Sequence, residues 1–291
     1  IRRPGSDSLW IVSTIAPVAL LQKIASMSSG RPKNCSRYCV VYLGWHLLLT
    51  LRKKRGSEVV IPKTIHYCWF GRGEKPALAR RCIASWRAFC PDYEIVEWNE
   101  DNFDVTQNGY TRWCYENRKF AFLSDYVRLA VVAEHGGLYF DTDVELLRSP
   151  DFLLDHEAFF GFETREYVAS GLGFGSEAHG SVIEAMRAEY APLLDGSHGT
   201  VGCPQLNTAA LCKLGLQQNG AMQSLCGAVI YPMEYFNPYE SATGRLRRTG
   251  STVSVHWYAA SWMDRRQKLR NRLTRLLHRM FGVDFFRRFR K

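Results

Sequence analysis

The run Gly136-Gly137-Leu138-Tyr139-Phe140-Asp141-Thr142-Asp143-Val144-Glu145 constrains the chain more than any other segment. Two glycines can end a helix, because glycine accepts a left-handed cap conformation. The apolar triplet that follows reads as a short buried strand, and two carboxylates stand at its end. In an extended segment Asp141 and Asp143 share one side. Held close in partly dry surroundings they would repel and raise one another's pKa. A divalent cation removes that conflict, and oxygen ligands favour manganese or magnesium over structural zinc.

The neighbouring segments alternate between the two periodicities. Strands are expected at Thr64–Trp69, Tyr93–Trp98, Leu138–Phe140, Ala158–Glu163, Gly171–Gly175, Ala228–Tyr231 and Thr252–Trp257. Helices are expected at Ala77–Phe89, Lys119–His135, Ser181–Tyr190 and Gln205–Leu216. Short strands alternating with helices predict an α/β fold whose mixed, mostly parallel sheet carries its functional residues at strand ends. On the helix before the aspartates, Asp125 and Arg128 are three residues apart and share a face. They read either as an intrahelical ion pair or as a pair that orients sugar hydroxyls or a diphosphate.

Charge divides the chain into three. Of 291 residues, 1–57 hold ten Lys/Arg and one acid, and 264–291 hold eleven Lys/Arg and two acids. The middle therefore keeps seventeen Lys/Arg against twenty-five acids, so the formal +10 comes from the flanks. A positive field on flanks rather than on the body argues against nucleic-acid binding. The division expected is a basic, partly apolar extension over 1–58, a catalytic body over 59–263 and a basic amphipathic tail over 264–291. In the tail, Leu269, Leu273, Leu276, Leu277 and Met280 fall at helical spacing among arginines. Such a helix either lies on an anionic membrane surface with snorkelling arginines or packs on its own domain. The apolar stretches Trp10–Leu21 and Cys39–Leu51 are shorter than the ~20 residues a straight spanning helix needs. The location expected is peripheral, on the cytoplasmic face of a membrane, with a single N-terminal anchor around Cys39–Leu51 as the minority alternative. The nine cysteines form no C-x-x-C zinc pattern.

Four ordered segments together resemble the DXD-containing sugar transferases of glycosyltransferase family 32, the capsular-polysaccharide and mannosyltransferase-like group, and also the glucosylating domains of large bacterial toxins. They are Ile61-Pro62-Lys63-Thr64-Ile65-His66-Tyr67-Cys68-Trp69-Phe70-Gly71, then Lys119 through Arg128, then Gly136 through Glu145, and late in the chain His256 through Trp262. The resemblance covers about 61–262. It implies a GT-A fold, Rossmann-like, and a retaining transfer of sugar from a nucleotide-diphosphate donor, UDP-sugar before GDP-mannose, to a glycan or lipid-linked acceptor. By motif position it implies that Trp69 stacks on the base, and that Asp125 and Arg128 hold the donor sugar. Asp141 would contact ribose, sugar or the metal shell, Asp143 would ligate the metal, and His256 would contribute to the metal or phosphate shell. Ser261 and Trp262 would close over the diphosphate. Gly202-Cys203-Pro204 departs from the plainer Gly-Pro expected before the acceptor-side helix.

Two other readings compete. Asp-Thr-Asp-Val superficially resembles an aspartate-nucleophile phosphohydrolase, although Glu145 stands where Thr or Val is expected. A noncatalytic, membrane-associated carbohydrate-binding protein with a decayed transferase fold is the other.

Overall fold

The structure, a computed structural model, describes residues 61–197, 199–259 and 265–282. The extension over 1–58, with both of its apolar stretches, lies outside them, as do Ser261 and Trp262.

Chain order runs β1 (Thr64–Cys68), α1 (Ala77–Phe89), β2 (Glu94–Trp98), α2 (Gly109–Glu116), α3 (Phe120–His135), β3 (Gly137–Tyr139) and β4 (Val144–Leu146). It continues through β5 (Ala158–Gly161), β6 (Phe174–Ser176), α4 (Ser181–Ala188), α5 (Cys203–Lys213), β7 (Gln223–Leu225) and β8 (Ala228–Tyr231). Last come α6 (Met233–Phe236), β9 (Tyr239–Glu240), β10 (Arg245–Leu246), β11 (Ser254–His256) and α7 (Arg265–Phe281).

The central sheet has seven strands in the order β2-β1-β3-β6-β5-β8-β7. Following the pairings, β2, β1, β3, β5 and β8 run one way, and β6 and β7 run against them. The sheet is thus mixed and mostly parallel, flanked by helices, as the strand–helix alternation predicts. Its order reverses at β1, which has β2 on one side and β3 on the other. In open α/β sheets such a reversal leaves a crevice beyond the carboxyl ends of the strands. Trp69 follows β1 and Asp141 closely follows β3, so both emerge at that crevice.

Helix α1 starts after Pro76, whose fixed φ of −64° suits a helix entry. It buries Ala79, Cys82, Ile83 and Trp86 as one stripe. Trp86 is fully buried, and its indole N–H donates to the Val144 carbonyl at 2.8 Å. Burying a large apolar side chain is worth roughly 1.5–3 kcal/mol, so Trp86 fastens α1 to the strand that follows the aspartates. Helix α2, which no sequence signal had marked, is capped by Asn108, whose Oδ1 accepts from the Thr111 N–H at 2.9 Å.

Helix α3 is buried along most of its length. Gly136 at φ +68° ends it, and Gly137 at φ +101° turns the chain into β3. A Cβ on Gly137 would sit 2.7 Å from the Thr64 carbonyl oxygen, so only glycine lets β3 press against β1 there. His66, 2% exposed, secures the same corner. Its Nδ1 accepts from Trp98 Nε1 at 3.1 Å, which leaves Nε2–H to donate to the Gly136 carbonyl at 2.9 Å.

Several expected boundaries shift by one to three residues, two of them beside the aspartates. The segment read as a strand at Gly171–Gly175 opens with a 3-10 turn over Ser170–Leu172, and pairing begins only at Phe174. The late strand is Ser254–His256, and it pairs antiparallel with β4.

Candidate active site

The crevice at the reversal is a cleft of about 880 Å³, within the range of small-molecule sites. Asp141 leaves β3 toward it. Pairing of β11 with β4 sets His256 opposite Val144, next to Asp143. Asp141, Asp143 and His256 each offer a ligand atom, all within 4.8 Å of one another. His256 Nε2 stands 3.1 Å from Asp143 Oδ1. Asp143 Oδ2 accepts the Ala259 N–H at 2.7 Å, and its backbone carbonyl accepts Trp257 N–H at 3.0 Å. Tyr258 between them adopts a left-handed φ of 48°, a strained turn for a bulky residue.

Burial alone would raise the Asp143 carboxyl, but His256 and the Ala259 N–H outweigh it and hold it below its ordinary value. Burial would likewise lower His256, and the facing Asp143 raises it instead. Asp141 is pushed up by burial, with Arg128 opposing. Two carboxylates and an imidazole form a mixed oxygen and nitrogen donor set. The imidazole Nδ1 is buried and unpartnered, a further polar atom available at the site. These residues fit a divalent cation.

The floor of the cleft is organised by Arg128, 3% exposed. Its Nη2 lies 2.9 Å from Asp125 Oδ1 and 2.9 Å from Asp141 Oδ1. Its Nε donates to the Ser124 carbonyl, and Nη1 faces Ser170 Oγ at 3.4 Å and Cys203 Sγ at 3.7 Å. All three guanidinium nitrogens therefore already face protein acceptors. Asp125 is raised to about 6 by burial, against the pull of Arg128. The sequence expectation that Asp125 and Arg128 share a helical face holds, and the pair extends to Asp141 on another element. Gly171 makes that contact possible. A Cβ there would lie 2.5 Å from Asp141 Oδ2 and 3.1 Å from Arg128 Nη1.

Trp69 lines the cleft, with its indole N–H donating to the Gly73 carbonyl at 2.6 Å and the Lys75 ammonium 5.7 Å from its ring. Three contributors went unread in the sequence. Glu163, just past β5, lines the cleft. The thiol of Cys203, at the start of α5, also lines it and is driven well above its ordinary pKa by burial. The third is α7. Asn271, Thr274, Arg275 and His278 face the cleft, while Arg275 Nε donates to the Ser241 carbonyl at 2.8 Å and Arg279 reaches the Thr243 and Gly244 carbonyls.

Residues 76–160 match the family described as glycosyltransferase sugar-binding region containing DXD motif. Subversion of eukaryotic traffic protein A of Legionella pneumophila is 26% identical over 150 residues, covering 42% of this chain and 23% of that protein. Among solved structures, PaToxG glycosyltransferase aligns at 16% identity and a TM-score of 0.44, over 61% of this chain and 78% of that one. A glycosyltransferase involved in glycosylation of the major capsid of PBCV-1 aligns at 10% identity and 0.38, over 72% and 98%. The segment carrying Asp125, Arg128, Asp141 and Asp143 thus lies within the match to a DXD-type glycosyltransferase region, and the site beside it holds a candidate Asp-Asp-His metal cluster.

The location expected at the cytoplasmic face of a membrane is corrected by these findings. No helix among the described residues is long and apolar enough to cross a membrane. The tail helix, read either as a membrane-surface helix or as one packed on its own domain, fastens its arginines to carbonyls of the body and lends a wall to the cleft. The curated relative, moreover, is named for subversion of eukaryotic traffic.

Proposed function

We propose that the chain is a metal-dependent, retaining glycosyltransferase with a GT-A-type catalytic body over 59–263. It transfers a sugar from a nucleotide-diphosphate donor, UDP-sugar before GDP-sugar, to a hydroxyl of a glycan or lipid-linked acceptor. The observation that carries this reading is the convergence of Asp141, Asp143 and His256 at a cleft on the sheet's reversal point, inside a region matching a DXD glycosyltransferase family.

In this reading Asp143, Asp141 and His256 hold manganese or magnesium. When bound, the ion supplies Lewis-acid stabilisation of the negative charge that appears on the departing diphosphate. Trp69 offers an indole face to the base. Asp125 and Arg128 fix Asp141 and line the sugar side of the cleft. Ser261 and Trp262, by their motif position, close over the diphosphate and exclude water. The acceptor hydroxyl attacks from the face the diphosphate leaves. As the new carbon–oxygen bond forms and the old one breaks, the hydroxyl proton passes to the departing phosphate oxygen. Helix α7 supplies one wall, so the basic tail belongs to the functional unit.

The test is a panel of UDP- and GDP-sugars incubated with the protein, with and without manganese, and read as release of nucleoside diphosphate. Metal-dependent release from one donor class supports the reading. Release of phosphate from simple phosphoesters, with no donor turned over, would replace it with the phosphohydrolase alternative.

A further inference from the structure

Four carboxylates line the cleft: Asp125, Asp141, Asp143 and Glu163. Three are answered by a basic side chain, since Arg128 serves Asp125 and Asp141 and His256 serves Asp143. Glu163 has no ion-pair partner among the described residues. Among the described residues its carboxylate accepts a hydrogen bond from the Tyr258 hydroxyl, which donates to Oε1 at 3.2 Å.

The position of Glu163 is nevertheless fixed. Its N–H donates to the Tyr167 carbonyl at 2.8 Å, and its own carbonyl accepts from Asn237 Nδ2 at 2.8 Å. Tyr258, which steadies the carboxylate, is itself held in a left-handed turn with its ring centroid 4.1 Å from that of His256. Glu163 shares the cleft with Arg128, and through Tyr258 it is linked to His256 of the metal cluster. A carboxylate oxygen left open in such a cleft needs a donor from water or from a ligand.

The neighbours sharpen the assignment. The guanidinium of Arg128 is directed at Ser124, Ser170, Cys203, Asp125 and Asp141. Asp125 is held by Arg128 at 2.9 Å. The Asp–Arg pair thus acts in part as an internal strut, and Glu163 adds to this side of the cleft a carboxylate that no basic side chain among the described residues engages.

We propose that Glu163 contacts a hydroxyl of the transferred sugar directly and helps set which sugar the cleft accepts. The proposal rests on the nucleotide-sugar reading. Its chemistry is that of a half-buried acceptor that discriminates by leaving itself unpaired when the matching hydroxyl is missing.

Calorimetric titration in manganese separates the two ideas. The ligands are UDP, GDP, UDP-glucose, UDP-galactose, UDP-N-acetylglucosamine and GDP-mannose. The proteins are wild type, Glu163→Ala and Glu163→Gln, each checked for folding by thermal melting. Glu163→Ala should bind the nucleoside diphosphate within about twofold of wild type. It should lose about tenfold or more of the affinity gained from the sugar, the scale of a hydrogen bond to a charged group. Glu163→Gln should lose less and gives the answer if the alanine variant does not fold. In a deoxy series of the best donor, one position should show no further loss in Glu163→Ala. Equal losses for diphosphate and sugar-diphosphate would make Glu163 a mere support for Tyr258 and overturn the proposal. An unchanged gain from the sugar would also overturn it. Wild type that binds neither UDP nor GDP would remove the nucleotide-sugar reading itself, and this assignment with it.

Discussion

Arg128 Nη2 stands 2.9 Å from Asp141 Oδ1, joining the middle of α3 to the second residue beyond β3. A guanidinium almost out of solvent between two carboxylates, Asp125 and Asp141, is a device in which each charge excuses the others. Removing one partner of such a pair leaves uncompensated buried charge, at a cost of about 3–5 kcal/mol. Arg128→Met should therefore lower the unfolding free energy by an amount on that scale in a denaturant melt at pH 7. A loss below about 1 kcal/mol would mean that the two aspartates do not depend on Arg128.

Gly171 tests the same contact from the opposite side. An alanine there would place its Cβ 2.5 Å from Asp141 Oδ2, so the carboxylate must move. Overpacking of this kind costs about 1–3 kcal/mol. The expected outcome for Gly171→Ala is a folded protein, slightly destabilised, whose manganese affinity falls at least several-fold by titration. Wild-type manganese affinity would show that Asp141 does not need its observed position.

His66 supplies a pH dependence remote from the cleft. Burial, with help from nearby His135, depresses it from 6.5 to about 4, although its bond to the Gly136 carbonyl works the other way. A folded pKa below the unfolded one means the unfolded chain binds the extra proton first. The neutral ring's contribution is fully present above about pH 6.5 and is lost as pH falls through about 4. The difference corresponds to roughly 3 kcal/mol. Wild-type stability should fall between pH 6.5 and pH 4 more steeply than that of His66→Gln, when both are followed by urea melts. Parallel curves for the two proteins would contradict the assignment of a neutral His66.

Much of this architecture could be read from short-range pattern. Ala77–Phe89 and the Lys119–His135 segment carry helical stripes and clear stops, and Tyr139-Phe140-Asp141 announces an apolar strand ending in charge. What escaped depends on pairing between distant segments. β4 is three residues long and exists because β11, more than a hundred positions later, pairs with it. That pairing sets His256 beside Asp143. No periodicity in either segment encodes it, and only the resemblance of the late motif pointed to it. Glu163 was within reach of the same logic that found Asp141, since Phe159-Phe160-Gly161-Phe162-Glu163 is also an apolar run ending in a carboxylate. The tail left two readings open for a physical reason. Leu269, Leu273, Leu276 and Met280 are exposed as a lipid-facing stripe would be. The attachment to the body, however, is made by Arg275 and Arg279 through carbonyls that sequence spacing does not reveal.

The account depends on Asp143 gripping a divalent ion against a diphosphate, with Asp141 and His256 beside it. The most direct measurement is the affinity of UDP for wild type and Asp143→Asn, each with manganese and with the metal chelated. Manganese should strengthen UDP binding to wild type by tenfold or more, and that gain should vanish in Asp143→Asn while the protein stays folded. An Asp143→Asn variant that keeps the full gain from manganese would contradict the account.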